Sequence, residues 1–186
     1  TAYTPYQPEV SQGTLQTIYE YQTMICELTG MDVSNASMYD GVSAAAEAVL
    51  LTTQYINRNK ILIPENLPDN YKRILSTYCI GRKVEIEQVP CHDGTIDREA
   101  LKRQMTDSSA GLLVQYPNYF GLIEPLQELT EIVHEAGGLM ICAVNPIACA
   151  LLKTPGECGV DIVTGEGQVL GNNLSWGGPY LGIFAV

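Results

Sequence analysis

The 186-residue sequence predicts an α/β protein with a mainly parallel sheet covered by helices on both faces. Short strand-like runs alternate with helix-patterned stretches of about 10–15 residues, the arrangement of βαβ units. A hydrophobic content of 46% over this length is enough to bury a sizeable core. The 17 glycines and 10 prolines are spread along the chain, so no linker divides it and one large domain over 1–186 is expected.

The elements follow in order. Pro5 and Pro8 fix φ near about −65° and bias Thr4 and Gln7 away from helix. Residues 3–13 therefore read as a stiff extended arm presenting Tyr3, Thr4, Tyr6 and Gln7 ahead of a helix. Leu15, Ile18, Tyr19, Ile25 and Leu28 then mark one face of a helix over 12–28, stopped by Gly30. After a small-polar stretch at 33–37, Asp40 is a good N-cap for an alanine-rich helix over 41–57. Its alanines let a sheet approach closely. A strand at 60–63, a helix at 70–80 and a strand at 83–89 come next. Asp97 caps a helix over 97–105, 112–115 is a strand, and 125–135 is a helix with proline in its first turn. Strands at 138–144 and 161–164 precede Gly177-Gly178-Pro179 and a last apolar strand over 180–186. That strand ends without a closing element and the first residue is equally abrupt, so the sequence reads as a piece of a longer subunit lacking flanks at both ends.

Composition narrows the function. Net charge is −11, from 21 acidic and 10 basic side chains, and the basic residues form no stripe. Such a chain repels a phosphate backbone, which argues against nucleic-acid binding. No apolar run approaches a membrane span and no signal peptide is visible. None of the six cysteines forms a C-x-x-C pair, so no structural metal site is expected. They read as buried reduced thiols, which fits a cytoplasmic location.

Ligands of parallel sheets sit beyond the strand carboxyl ends, which here carry Asn118, Asn145 and the loop 165–171. Asp40-Gly41-Val42-Ser43 opens a helix and suits either an anion site or a plain cap. Asn118, in Gln115-Tyr116-Pro117-Asn118-Tyr119-Phe120-Gly121, is a fair ligand contact. Glu166, between two glycines, is a candidate acid or base but reads more simply as a solvated loop carboxylate. Cys91-His92 invites a nucleophile–base reading, yet neighbours in a tight turn rarely aim at each other. His134 reads as a solvated helix residue.

These segments together resemble the glycine cleavage system P-protein family, and its N-terminal half, subunit 1, in particular. The match is carried by residues 3–13, 20–25, Tyr39-Asp40-Gly41 and Pro117-Asn118-Tyr119-Phe120-Gly121-Leu122-Ile123-Glu124. Pro155-Gly156, Gly159, Asp161-Ile162-Val163, Gly165-Glu166-Gly167-Gln168 and Gly177-Gly178-Pro179 complete it over essentially the whole chain. Glu166 stands where the family pattern has Asp, and Val169 where it has Pro.

The resemblance implies the aminotransferase-like large domain of fold type I pyridoxal-phosphate enzymes, a three-layer α/β/α sandwich. It also implies glycine dehydrogenase (aminomethyl-transferring) activity. Glycine is decarboxylated and its aminomethyl group passes to the lipoyl arm of H-protein. Such enzymes need a Schiff-base lysine near the last large-domain strands and usually an aspartate facing the pyridine nitrogen. Here Gln168 and Val169 occupy the lysine loop, Asn145 stands in the apparent aspartate place, and no lysine follows Lys153. The chain therefore carries no catalytic residue of its own, and the cofactor belongs to a lysine-bearing partner, subunit 2. Tyr3, Thr4, Tyr6, Gln7, Ser11 and Gln12 are the expected contribution across the interface. Asp40, Gly41, Ser43, Asn118, Asn145 and Gln168 are expected to line a vestigial pocket or the interface. The competing readings are a purely structural partner subunit and, less favoured, an independent enzyme using Lys153.

Overall fold

In the computed structural model, which describes residues 7–186, the central strands of the sheet bury side chains on both faces, while residues 85–88 at one edge stay at least partly exposed. Helix α1 (Gln12–Thr29) ends at Gly30, whose φ of 74° is the left-handed conformation glycine adopts without cost. Helix α2 (Gly41–Ile56) starts at Asp40, whose carboxylate accepts from the Ser43 N–H at 2.8 Å. Then follow β1 (Lys60–Pro64), α3 (Asp69–Arg82), β2 (Glu85–Val89) and a small hairpin, β3 (Cys91–His92) with β4 (Thr95–Ile96). The Asp97 carboxylate caps α4 (Arg98–Gln104) through the Glu99 and Ala100 N–H groups. After it come β5 (Ser109–Tyr116), α5 (Leu126–Glu135), β6 (Leu139–Val144) and the short α6 (Pro146–Cys149). Two 3-10 turns, at Gly156–Cys158 and Gly167–Leu170, flank β7 (Ile162–Glu166), and β8 (Gly182–Ala185) is last.

The main sheet has the order β2-β1-β5-β6-β7-β8, parallel throughout except that β8 runs antiparallel to β7. Alternate residues feed two cores. Ile61, Ile63, Leu113, Ile141 and Ile162 pack with α2 and α3, while Leu62, Leu112, Val114, Met140 and Val163 pack with α1, α4, α5 and α6. Three layers result, as the sequence predicts. The antiparallel β8 is paired in turn with residues 32–38 through Asp32, Val33, Asn35 and Met38. That covers an edge which would otherwise present bare amides.

Several expectations are refined. Residues 7–11 are turned rather than extended: the Val10 and Ser11 N–H groups donate to Gln7 O at 3.1 and 3.0 Å. Proline's preset φ suits position i+1 of such a turn, so Pro8 bends this part of the arm instead of stiffening it. Strand β5 begins at Ser109 rather than 112, because small residues there pair closely with β1 and β6. All six cysteines are free thiols, with Cys79, Cys142, Cys149 and Cys158 buried and Cys26 and Cys91 half-buried. No helix among the described residues is long and apolar enough to cross a membrane.

Candidate functional site

Strand order reverses between β1 and β5, the place where parallel sheets open a ligand crevice. Here the chain's own side chains occupy it. Glu124 is 2% exposed and has no cationic partner among the described residues. Its carboxylate accepts from Asn118 Nδ2 at 2.8 Å, Asn66 Nδ2 at 3.2 Å and the Ile96 N–H at 3.1 Å. Both amides also donate to Gly94 O, at 2.8 Å from Asn118 and 2.9 Å from Asn66. Asn118 Oδ1 accepts from the Phe120 and Leu122 N–H groups at 3.0 and 3.1 Å. Asn118 thus locks the hairpin β3–β4 to the β5 loop, and its polar atoms are all bonded within the chain. Beside it lies a groove of about 410 Å³ between Glu65–Lys72 and the exposed, edge-on ring pair Tyr119–Phe120.

A second convergence lies where α2 meets the end of β7. Glu166 Oε2 accepts from the Gly41 N–H at 3.0 Å, and Oε1 accepts from the Gln168 and Leu181 N–H groups, both at 2.9 Å. Far from being a solvated loop carboxylate, Glu166 joins three segments; charge-assisted bonds to backbone N–H groups are the strong kind. The approach is close because position 41 is glycine: a Cβ there would stand 2.7 Å from Glu166 N. Tyr71, 8% exposed on α3, has its phenol pushed up to about 12, first by burial and then by Glu166 and Asp40.

The predicted residues divide clearly. Asp40, Gly41 and Ser43 come together with Glu166 at the α2 N-terminus. Asn145 is exposed and caps α6, accepting from the Ile147 N–H at 3.1 Å. Gln168 donates through Nε2 to Asn172 O within its own loop. Gln7 and Gln12 are exposed and Ser11 is half-buried at the start of α1. Tyr3, Thr4 and Tyr6 lie outside the described residues. Lys153 is on the α5 side of the sheet, donating to Gln127 Oε1 at 2.8 Å. His134 is more engaged than a solvated helix residue, with Nε2 2.8 Å from Asp161 Oδ2. His92 is a surface side chain beside Asp93. Sequence reasoning missed Asn66 altogether, and only the flanking glycines hinted at Glu166.

A concavity of about 700 Å³ lies between α4 and α5. Asp97, Glu99, Glu128 and Glu131 line it with Arg98 and Lys102, and none of the predicted site residues does.

Comparisons with known proteins agree on one family. The family model described as glycine cleavage system P-protein matches residues 1–186. A probable glycine dehydrogenase (decarboxylating) subunit 1 of Desulfitobacterium hafniense is 54% identical over 185 residues. The corresponding proteins of Carboxydothermus hydrogenoformans and Listeria monocytogenes are 51% and 52% identical. All of this chain is covered, and it spans 42% of the length of each of these relatives. A crystal structure of glycine decarboxylase (P-protein) of the glycine cleavage system, in inhibitor-bound form, superposes with a TM-score of 0.94 at 40% identity. It too covers the whole chain and 42% of the solved one. A pyridoxamine-pyruvate aminotransferase of Mesorhizobium loti, at TM-score 0.68 and 13% identity, shares the fold. The chain belongs to the glycine cleavage system P-protein family.

Proposed function

We propose that this chain is part of subunit 1 of glycine dehydrogenase (aminomethyl-transferring), completing in trans an active site whose pyridoxal phosphate is held by a lysine-bearing subunit 2. One observation carries the reading: a family match over all 186 residues in which the loop after β7 carries Gln168 and Val169 instead of a lysine. Pyridoxal phosphate supplies the electron sink for decarboxylating glycine, and the lipoyl arm of H-protein accepts the aminomethyl group. The residues of this chain do not fit that cofactor. Gln168 cannot form an imine, and neutral Asn145, already capping α6, cannot hold a pyridine nitrogen protonated.

Its contribution is therefore positional. Gln7, Ser11 and Gln12 stand at the start of α1, where the preceding segment with Tyr3, Thr4 and Tyr6 joins it. Hydroxyls and amides there suit orienting glycine and cofactor across an interface. Tyr6→Phe in the reconstituted complex should lower glycine–bicarbonate exchange while subunit association holds. Unchanged exchange and glycine affinity would remove the role. A structural partner is the second reading, favoured by Asn118, whose amide is fully used inside the chain. Exchange insensitive to every substitution at positions 3–12, yet dependent on adding this subunit, would select it. The free thiols support a cytoplasmic location, which belongs to the same proposal.

A further inference from the structure

Helix N-termini beside strand carboxyl ends are the places where α/β sheets bind phosphate. The α2 N-terminus is in that position, and three of its N–H groups are already used. The Gly41 N–H goes to Glu166, the Ser43 N–H to the Asp40 carboxylate and the Ala44 N–H to Asp40 O. We propose that Glu166 is a resident anion: it takes the phosphate position at the start of α2, closes this chain to phosphate-bearing cofactors, and clasps the loop 167–181 to that helix.

Three independent features support this. Sterically, Gly41 lies against the Gly165–Glu166 backbone, where even a methyl carbon would stand 2.7 to 2.9 Å from three main-chain atoms. The start of α2 is therefore packed directly onto the end of β7, which holds the Glu166 carboxylate at the Gly41 N–H. Electrostatically, every Lys and Arg of the chain lies between Arg58 and Lys153, so neither the 40–43 turn nor the 164–182 segment brings a cation. Two carboxylates already face this spot, and the raised phenol of Tyr71 reports their field as well as burial. Topologically, Glu166 bonds to Gly41 on one side and to Gln168 and Leu181 on the other. One side chain thereby fixes both ends of a loop that carries the exposed Leu174, Trp176 and Tyr180.

The proposal deepens the reading in which the partner holds the cofactor, and rests on it only for the identity of the excluded ligand. The test needs no partner and uses the full-length subunit. Titrating the wild type with pyridoxal phosphate, and separately with inorganic phosphate, should give no saturable change at millimolar concentration. Hydrogen exchange should be slow at the Gly41, Gln168 and Leu181 amides. Glu166→Ala should accelerate all three by about tenfold or more without global unfolding. Should Glu166→Ala fail to fold, Glu166→Gln decides, because it keeps the shape and should still accelerate exchange on at least one side of the clasp. Saturable phosphate binding by the wild type that protects Gly41 would overturn the closure. Unchanged exchange in a folded Glu166 variant would overturn the clasp. Neither result depends on whether the trans active site exists.

Discussion

At the scale of single residues, two buried polar groups govern how the strand ends are organised. Glu124 is a buried carboxyl group with no cationic partner among the described residues, held by three N–H donors, and removing it leaves the Ile96 N–H buried without an acceptor. Glu124→Ala is therefore expected to cost about 2–4 kcal/mol in urea unfolding, against less than about 0.5 kcal/mol for the exposed Glu99→Ala. Tyr71 makes a pH prediction. Burial, then Glu166 and Asp40, raise its folded pKa from 10.0 to about 12. Between those values the unfolded chain has released the proton and the folded chain still holds it, so stability falls as pH rises. The loss should reach about 2–3 kcal/mol across the window, and Tyr71→Phe should flatten that alkaline limb in urea titrations. Neither role was legible in the sequence. A carboxylate whose partners are backbone N–H groups leaves no complementary charge to find, and Glu124 could be quoted only as part of a motif.

At the scale of elements, the sequence was legible wherever burial alone decides structure. Helix α1 and its Gly30 stop, the Asp40 and Asp97 caps, and the apolar strands β1 and β6 all follow from local pattern. Elements fixed by partners elsewhere were not. The hairpin β3–β4 and helix α6 are too short to show a period. Strand β5 starts at Ser109 because Gly111 lies so close to β6 that a Cβ would collide with Leu139 O. The direction of β8 depends on pairing that no local signal encodes. The same contrast gives a pair of expected outcomes for glycines inside helices. Gly41→Ala places a methyl group 2.7 Å from Glu166 N and should destabilise by about 1–3 kcal/mol, since α2 cannot retreat without opening the sheet core. Gly81→Ala on α3 meets open space and should stabilise by about 0.5–1 kcal/mol through helix propensity. Chemical denaturation of both variants reads the two signs directly.

At the scale of the whole molecule, one set of exposed apolar side chains lies on α1, around α6 and in the loop before β8. Helix α1 buries only Ile25 and Thr29, and Leu15, Tyr19 and Met24 remain exposed. Ile147 and Leu151 near α6, and Leu174, Trp176 and Tyr180 in the loop before β8, are exposed as well. Exposed apolar clusters of this kind mark interaction surfaces. Helix α1 and that loop contain acidic residues or none, and no lysine or arginine at all. A partner that covers them should therefore bring apolar side chains flanked by cations. If subunit 2 is that partner, association should weaken with rising salt, because screening acts on the charged rim while the apolar centre is unaffected. Trp176→Glu should weaken it further, by at least about tenfold, as central aromatic anchors do. Both are read by titrating labelled subunit 1 with subunit 2 in calorimetry or anisotropy, with the melting temperature of free subunit 1 as the control. A Trp176→Glu variant that binds subunit 2 as tightly as the wild type would place the interface on another face, and the arm at the start of α1 could then no longer be argued to reach the partner's cofactor.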